Sequence, residues 1–422
     1  MEKIYIEGGQ RLVGEVSISG SKNASLAILA GCLLAADESV ISNVPHINDV
    51  YTMIDVLTRL GAECEFVAPG EVKIDSTDLH SYRAPYDLVK RMRASFYVAA
   101  PLLARLSRTE VPLPGGCVIG SRPVNFHISG FQSLGAEVVV EHGYMKAKAN
   151  RLKGTTMYLD PRWRSVGTTI NMTMAASLAE GTTIIENAAR DPEVVDFAEF
   201  LCKMGANIDG IGSSTLKIEG VKELHGVSHK LIPDRIEAGT FLIAGAITCG
   251  NILLKNARWE HLEALILALS QAGVEIEKTA DGIRAGMHSR CQAIEEIITS
   301  PYPGFPTDLQ PPLVAFLSIA DETSVIHETI FDARWNYVDE LRRMGADVRI
   351  IDQTALIRGV EWLSGAPVEC SDIRAGAGLV LAGLAAQGET EISGVEFIDR
   401  GYERIVEKLA NLSAKIKRVK TS

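Results

Sequence analysis

The sequence predicts an α/β protein of two domains, each made of three copies of one unit whose helices are buried. Three observations carry that expectation. First, a Leu/Met-Gly-Ala-like turn leading into a β-type run recurs six times: LGAECEF from Leu60, LGAEVVV from Leu134, MGANID from Met204, AGVEIE from Ala272, MGADVRI from Met344 and LSAKIKR from Leu412. Second, the markers Gly61, Gly135, Gly205, Gly273, Gly345 and Ser413 lie 74, 70, 68, 72 and 68 residues apart, too regular for chance. Third, an all-round apolar stretch of small residues precedes each marker, at 24–35, 94–106, 170–179, 239–249, 311–320 and 378–387, and such helices must be buried.

The remaining elements follow in order. An alternating strand and then a helical pattern stand before most markers: SVISNV then VYTMIDVL, TTIIEN then VVDFAEFL, NILLKN then LEALILAL, TSVIHE then YVDELRRM, and TEISGV then GYERIVEKL. The second copy, which contains EVPLPGGCVIGSRPVNFHISGF, is the most distorted. Each copy reads as helix, strand, helix, strand, with further strand material before the next. The marker glycines belong to helix ends, where a left-handed residue is commonly needed.

Composition excludes several classes. A chain of 422 residues with 46% hydrophobic and 23% charged residues buries a large core and is not disordered. A net charge of -11 argues against a general nucleic-acid binder, so any anion site must be local. The basic run Lys415 to Lys420 reads as a solvated terminus. No secretory pattern opens the sequence, no apolar run reaches membrane-spanning length, and the seven cysteines are unpaired by spacing. A reduced, cytoplasmic protein without membrane attachment is expected. The nine histidines show no metal-ligand spacing, so neither a metal nor a cofactor is expected.

The chemistry falls just before the buried helices, where unpaired N–H groups and the positive dipole end lie. Lys22-Asn23, Arg91 to Arg93, Ser165-Val166-Gly167, Asp234-Arg235, Asp308 and Asp372-Ile373-Arg374 stand there. Lys22, Arg93 and Arg374 oppose the dipole unless an anion intervenes, which marks them as anion-site candidates. Ser165, Asp234, Asp308 and Asp372 fit N-caps equally well. The loop LPGGCVIGSRP at 113–123 interrupts the repeat and presents Cys117 near Arg122, whose field favours thiolate; a half-buried loop cysteine is the alternative. YPGFPTDLQPP at 302–312 makes a proline-stiffened approach that suits Asp308 as a general base. Asp399-Arg400-Gly401-Tyr402 adds one more arginine at a helix start.

These segments carry a resemblance. SGSKNA at 19–24, LPGGCVIGSRP at 113–123, SVGTTIN at 165–171, PDRIEAGTF at 233–241, YPGFPTDLQ at 302–310, DIRAGAGLVLAG at 372–383 and DRGYERI at 399–405 are similar to the enolpyruvyl transferases, and among them to the UDP-N-acetylglucosamine 1-carboxyvinyltransferases. The resemblance runs from Ile6 to the last repeat. It implies a two-domain inside-out α/β barrel of βαβαββ repeats joined by a double-crossing hinge, with one domain from 1–21 plus 232–422 and the other from 22–231.

The resemblance also implies substrates and roles. The substrates would be phosphoenolpyruvate and UDP-N-acetylglucosamine, with the carboxyvinyl group moved to the sugar 3-hydroxyl and phosphate released. Lys22, Arg122 and Arg400 would hold the phosphate, Arg334 and Arg374 the carboxylate, and Arg93 would be a further cleft arginine. Asn23, Arg93, Arg122, Pro123, Val124, Asn125, Phe126, Ser165, Val166, Gly167, Asp308 and Ile330 would contact the sugar nucleotide. Asp308 would take the hydroxyl proton, and Cys117 would deliver a proton to the methylene and be captured by the phosphonate epoxide fosfomycin. The sequence departs from the family pattern at Asn125, at Pro161-Arg162-Trp163-Arg164 and at Asp332-Ala333-Arg334-Trp335, the first two in nucleotide-facing regions. Rival readings are transfer to shikimate 3-phosphate or another uridine nucleotide, and a repeat scaffold without activity. The cysteine loop and the Ser165 turn speak against shikimate, and joint retention of Lys22, Cys117, Asp308 and Arg400 speaks against a scaffold.

Overall fold

All six markers have positive φ, from 76° at Ser413 to 115° at Gly61, so each helix ends in the left-handed residue that the spacing pattern requires. Ser413 takes this conformation despite its Cβ. The computed structural model describes residues 2–113, 124–160 and 164–420. These divide into two units, one of residues 2–19 with 233–420 and the other of the described residues within 20–232.

One sheet design recurs. In the first unit the strand Asn251–Lys255 has a parallel edge partner, Val13–Ser17, on one side and the antiparallel strands Gly282–Gly286 and Glu275–Lys278 on the other. Thr323–His327 is flanked in the same way by Ile297–Ile298, Thr354–Arg358 and Asp347–Ile351, and Glu389–Ser393 by Pro367–Glu369, Glu2–Glu7 and Lys415–Lys420. The first strand of the chain thus completes the last sheet. In the second unit Thr182–Glu186 and Glu38–Ser42 repeat the design, the latter taking Ser228–Lys230 as its parallel edge. Among the described residues the distorted second copy keeps three strands, Arg108–Pro112, Tyr144–Lys148 and Glu137–Glu141, and a single parallel bridge from Arg83 to Glu110 stands where the fourth would pair.

The basic run at the end of the chain is therefore the edge strand Lys415–Lys420 rather than a free solvated tail. Two of its charges are paired: Lys415 meets Glu7 at 2.6 Å, and Arg418 joins Glu2 and Asp399.

Strands bury alternate residues, as in Thr215–Glu219, while the central helices are buried nearly all round. Each unit is accordingly inside out, with helices within and sheets outside, and each has its own hydrophobic core. Close helix approach requires small residues. A Cβ on Gly378 would sit 2.9 Å from the Pro311 carbonyl oxygen, so alanine there would push apart the helices Ile373–Ala385 and Gln310–Leu317. Phe316, fully buried on the latter, would cost about 3–5 kcal/mol if cut to alanine.

Three central helices begin earlier than their apolar patterns, because caps rather than hydrophobicity set the start. Ser165 accepts from Thr168 N before Val166–Ser177, Asp234 from Ile236 and Glu237 N before Arg235–Ile247, and Asp372 from Arg374 and Ala375 N before Ile373–Ala385. The helix expected at 94–106 is split into a 3-10 stretch, Arg93–Val98, and an α-helix, Ala99–Leu106. Pro101 has no N–H for the Tyr97 carbonyl, which explains why the α-helical ladder does not extend back through that turn.

Candidate active site residues

Asp308 stands in the 3-10 turn Thr307–Leu309, immediately before Gln310–Leu317. It caps neither element: the turn is preceded by Pro306 and has no side-chain cap. Its carboxylate instead receives two arginines. Oδ1 lies 2.9 Å from Arg334 Nη2, and Oδ2 accepts from Arg374 Nη2 at 3.0 Å and Nε at 3.2 Å. The arginine side chains are 2% and 6% exposed and that of Asp308 is 28%, so the carboxylate faces solvent and the cations support it from below.

Both guanidinium groups are fixed by more than charge. Arg374 is the second residue of its helix, and its backbone N–H is tied to Asp372 at 2.8 Å. Its guanidinium lies 5.4 Å from the Tyr402 ring centroid, and the buried Tyr402 hydroxyl shares a 2.9 Å hydrogen bond with Thr240. Burial alone would lower the Arg374 pKa, but the Asp308 carboxylate, with Tyr402 and Asp234, raises it overall, so it stays charged. Arg334 donates from Nη1 to Thr307 Oγ1 at 3.1 Å and lies 5.4 Å from the Phe331 ring centroid. Ile330 and Arg400 are half-buried in the same unit, Arg400 in the turn after Val395–Ile398.

The second unit holds the other group of candidates. Lys22 opens the helix Lys22–Gly31 behind the cap Ser21, is 7% exposed, and pairs at 2.8 Å with Asp49, 3% exposed, in the first turn of Asn48–Leu60. The cation that opposes its helix dipole thus has a protein carboxylate, which the sequence reading did not foresee. Asn23 follows, half-buried.

Arg93, which starts the stretch Arg93–Val98, is grouped with residues 124–127 and 165–167 through His127. His127 is buried, packs edge-on to Phe96 at 5.0 Å, and accepts at Nδ1 from Asn171 at 3.2 Å. A Cβ on Gly167 would come within 3.5 Å of its ring. Burial, with the field of Arg93, pulls the His127 pKa down to about 3, so it is a neutral spacer. Val124, Asn125 and Phe126 lie at the start of Asn125–Ser133, and Ser165 to Gly167 form the capped start of Val166–Ser177, with all six at least partly exposed.

Cys117, Arg122 and Pro123 lie outside the described residues, as do Pro161, Arg162 and Trp163 of the departing segment. Arg164 is described and donates to Asn187 at 3.1 Å. Among the described residues no group of three His, Cys, Asp or Glu could hold a metal ion, and no helix is long and apolar enough to cross a membrane. Sequence reasoning missed Asp49, His127, Thr307 and Tyr402. Asp49, the second residue of an amphipathic helix, looks like an ordinary first-turn acid, and no local signal marks the other three as partners of the arginines.

Comparisons with known proteins bear on the family and the fold. The family model for EPSP synthase (3-phosphoshikimate 1-carboxyvinyltransferase) matches residues 6–409. A protein of Geobacter metallireducens named UDP-N-acetylglucosamine 1-carboxyvinyltransferase is 52% identical over 421 residues, covering 100% of both chains. One of Carboxydothermus hydrogenoformans, named UDP-N-acetylglucosamine 1-carboxyvinyltransferase 2, is 51% identical over 99% of this chain and 100% of its own. Among solved structures, the enolpyruvyl transferase NikO of Streptomyces tendae superposes with a TM-score of 0.88 at 24% identity, covering 100% of this chain and 99% of its own, which supports the fold. With full-length identity at that level, this chain belongs to the UDP-N-acetylglucosamine 1-carboxyvinyltransferase family and is a transferase.

Proposed function

We propose that this chain transfers the carboxyvinyl group of phosphoenolpyruvate to the 3-hydroxyl of UDP-N-acetylglucosamine and releases phosphate. The observation that carries the reading is the solvent-facing Asp308 carboxylate held by two buried guanidinium groups, Arg334 and Arg374. Such a pair of cations can pass from one carboxylate to another. When the carboxylate of phosphoenolpyruvate takes them, Asp308 loses the charge that stabilises its ionised form and becomes a stronger base.

The chemistry follows from that exchange. Asp308 accepts the proton of the 3-hydroxyl while the sugar oxygen bonds to C2 of phosphoenolpyruvate, and the C3 methylene gains a proton, delivered by Cys117. The result is a tetrahedral ketal. Loss of a proton from the new methyl group and cleavage of the C2 to phosphate-oxygen bond then yield the enol ether and inorganic phosphate. Lys22, Arg122 and Arg400 hold the departing phosphate, whose charge grows as the bond breaks. Arg93, Asn23, residues 123–126 and 165–167, and Ile330 take the sugar nucleotide. The reaction supplies the first committed precursor of peptidoglycan, in the cytoplasm.

The acceptor is supported by relatives about half identical over their whole length, whose names specify UDP-N-acetylglucosamine. Phosphate release from phosphoenolpyruvate with UDP-N-acetylglucosamine, shikimate 3-phosphate or UMP as acceptor tests it. Turnover with the first and none above background with the others is expected. Faster release with either of the others, or none with all three, overturns the reading.

A further inference from the structure

Beneath the Asp308 site lies a carboxylate to which no role has been given. Glu328 is 0% exposed. Its Oε1 accepts from the backbone N–H groups of Ile330 at 2.8 Å and Phe331 at 3.1 Å and from Thr299 Oγ1 at 3.0 Å. Its Oε2 accepts from Thr307 Oγ1 at 2.8 Å. Thr307 Oγ1 in turn accepts from Arg334 Nη1 at 3.1 Å, and Arg334 Nη2 reaches Asp308 at 2.9 Å.

Proton direction along this chain is fixed. An ionised carboxylate only accepts and a guanidinium only donates, so the Thr307 hydroxyl must point its proton at Glu328 and a lone pair at Arg334. We infer that Glu328 is a positioning residue: acting through Thr307 it aims Arg334, and through the turn at 330–331 it sets Ile330 and Phe331. The first arm bears on the phosphoenolpyruvate carboxylate and the second on the sugar nucleotide, an assignment that rests on the function proposed above.

Glutamine at 328 has one acceptor oxygen where glutamate uses two. If that oxygen keeps the Ile330 and Phe331 N–H groups, the amide NH2 faces Thr307 and displaces its proton, so Arg334 loses its fixed acceptor.

The test compares T307V, T307S, E328Q and the T307V/E328Q double variant. T307V is expected to raise KM for phosphoenolpyruvate about tenfold, the worth of a hydrogen bond to a charged group, and to leave KM for UDP-N-acetylglucosamine within about twofold. T307S restores most of the lost affinity because the hydroxyl returns. E328Q raises KM for phosphoenolpyruvate and, because its oxygen keeps the Ile330 and Phe331 N–H groups, leaves KM for UDP-N-acetylglucosamine within about twofold; adding T307V to it changes KM for phosphoenolpyruvate by less than about twofold more. A full tenfold effect of T307V in both backgrounds, or equal effects on both substrates, overturns the inference. Crystal structures of E328Q and T307S separate this from the functional reading: the Thr307 to Arg334 contact should open beyond about 3.5 Å in E328Q and persist in T307S. If Arg334 keeps its place in E328Q, the inference fails whatever the enzyme acts on; if wild-type enzyme releases no phosphate while Arg334 shifts as expected, only the functional reading fails.

Discussion

Replacing Asp308 with asparagine tests the centre of the proposed site. The change keeps the size of the side chain and removes its charge. In a fully buried ion pair, loss of one partner costs about 3–5 kcal/mol, because the remaining charge is left in a poor solvent. Here the side chains of Arg334 and Arg374 are 2% and 6% exposed, but that of Asp308 is 28%, so solvent screens part of the interaction. Asparagine also keeps one oxygen for one guanidinium and turns an NH2 toward the other. A stability loss of about 2 kcal/mol follows, equivalent to about 5 °C in the melting temperature of a unit of roughly two hundred residues. Activity should fall further than stability, by about 100-fold or more per folded molecule, since proton acceptance is lost. Scanning calorimetry and phosphate release on the same preparation separate the two. An Asp308→Asn enzyme that melts with wild type, or that retains activity within tenfold of it, refutes the reasoning.

His127 gives a pH signature. The unfolded side chain binds a proton below its ordinary pKa of 6.5, whereas the folded one does so only near 3, so the unfolded state holds more protons across that window and stability falls with acid, by about 2 kcal/mol at pH 5. His127→Gln should flatten denaturant-midpoint profiles between pH 7 and 5 by about that amount, and an unchanged slope counts against a buried neutral imidazole. Asp49→Asn removes the carboxylate paired with buried Lys22 and should destabilise by about 3 kcal/mol while weakening phosphoenolpyruvate binding, as chemical denaturation and KM measurements will report. Fosfomycin should label Cys117 in preference to the buried thiols, since burial pushes those of Cys32 and Cys370 up strongly, Cys64 to about 11 and Cys291 to about 12, and raises Cys202 as well, leaving them un-ionised. Peptide mass spectrometry decides this: adducts spread over several cysteines, or undiminished labelling in Cys117→Asp, count against it.

The repeat was legible because it is periodic and local. A left-handed residue after each helix and an apolar run before it follow from backbone sterics and burial alone, so Gly61 to Ser413 marked all six copies. The sheet design was not legible in the same way. Val13–Ser17 pairs with Asn251–Lys255 across more than half the chain, and nothing in either strand names its partner. The site divides along the same line. Asp308, Arg334 and Arg374 stood out as charges in rigid or resembling segments, whereas Asp49, His127, Thr307 and Glu328 act through partners distant in sequence. Their side chains are unremarkable until those partners are known.

That division bears on how such a site tolerates substitution. Arg334 and Arg374 are buried cations placed at a partly exposed carboxylate, an arrangement in which each supporting acceptor offsets part of the cost of burying the charge. Glu328 and Thr307 hold one guanidinium from below, while Tyr402 lies beside the other and is itself held through Thr240. The two supports differ in kind: one is a relay of charge and proton direction, the other an aromatic side chain whose hydroxyl meets both Arg374 and Thr240. Tyr402→Phe keeps the ring and loses the hydroxyl, so it should loosen Arg374 as well as remove the Thr240 contact, at a cost of about 1–3 kcal/mol. Threonine to valine at 307 keeps the shape and removes the hydroxyl that accepts from Arg334 and donates to Glu328 at once, so even this conservative change should lose substrate affinity.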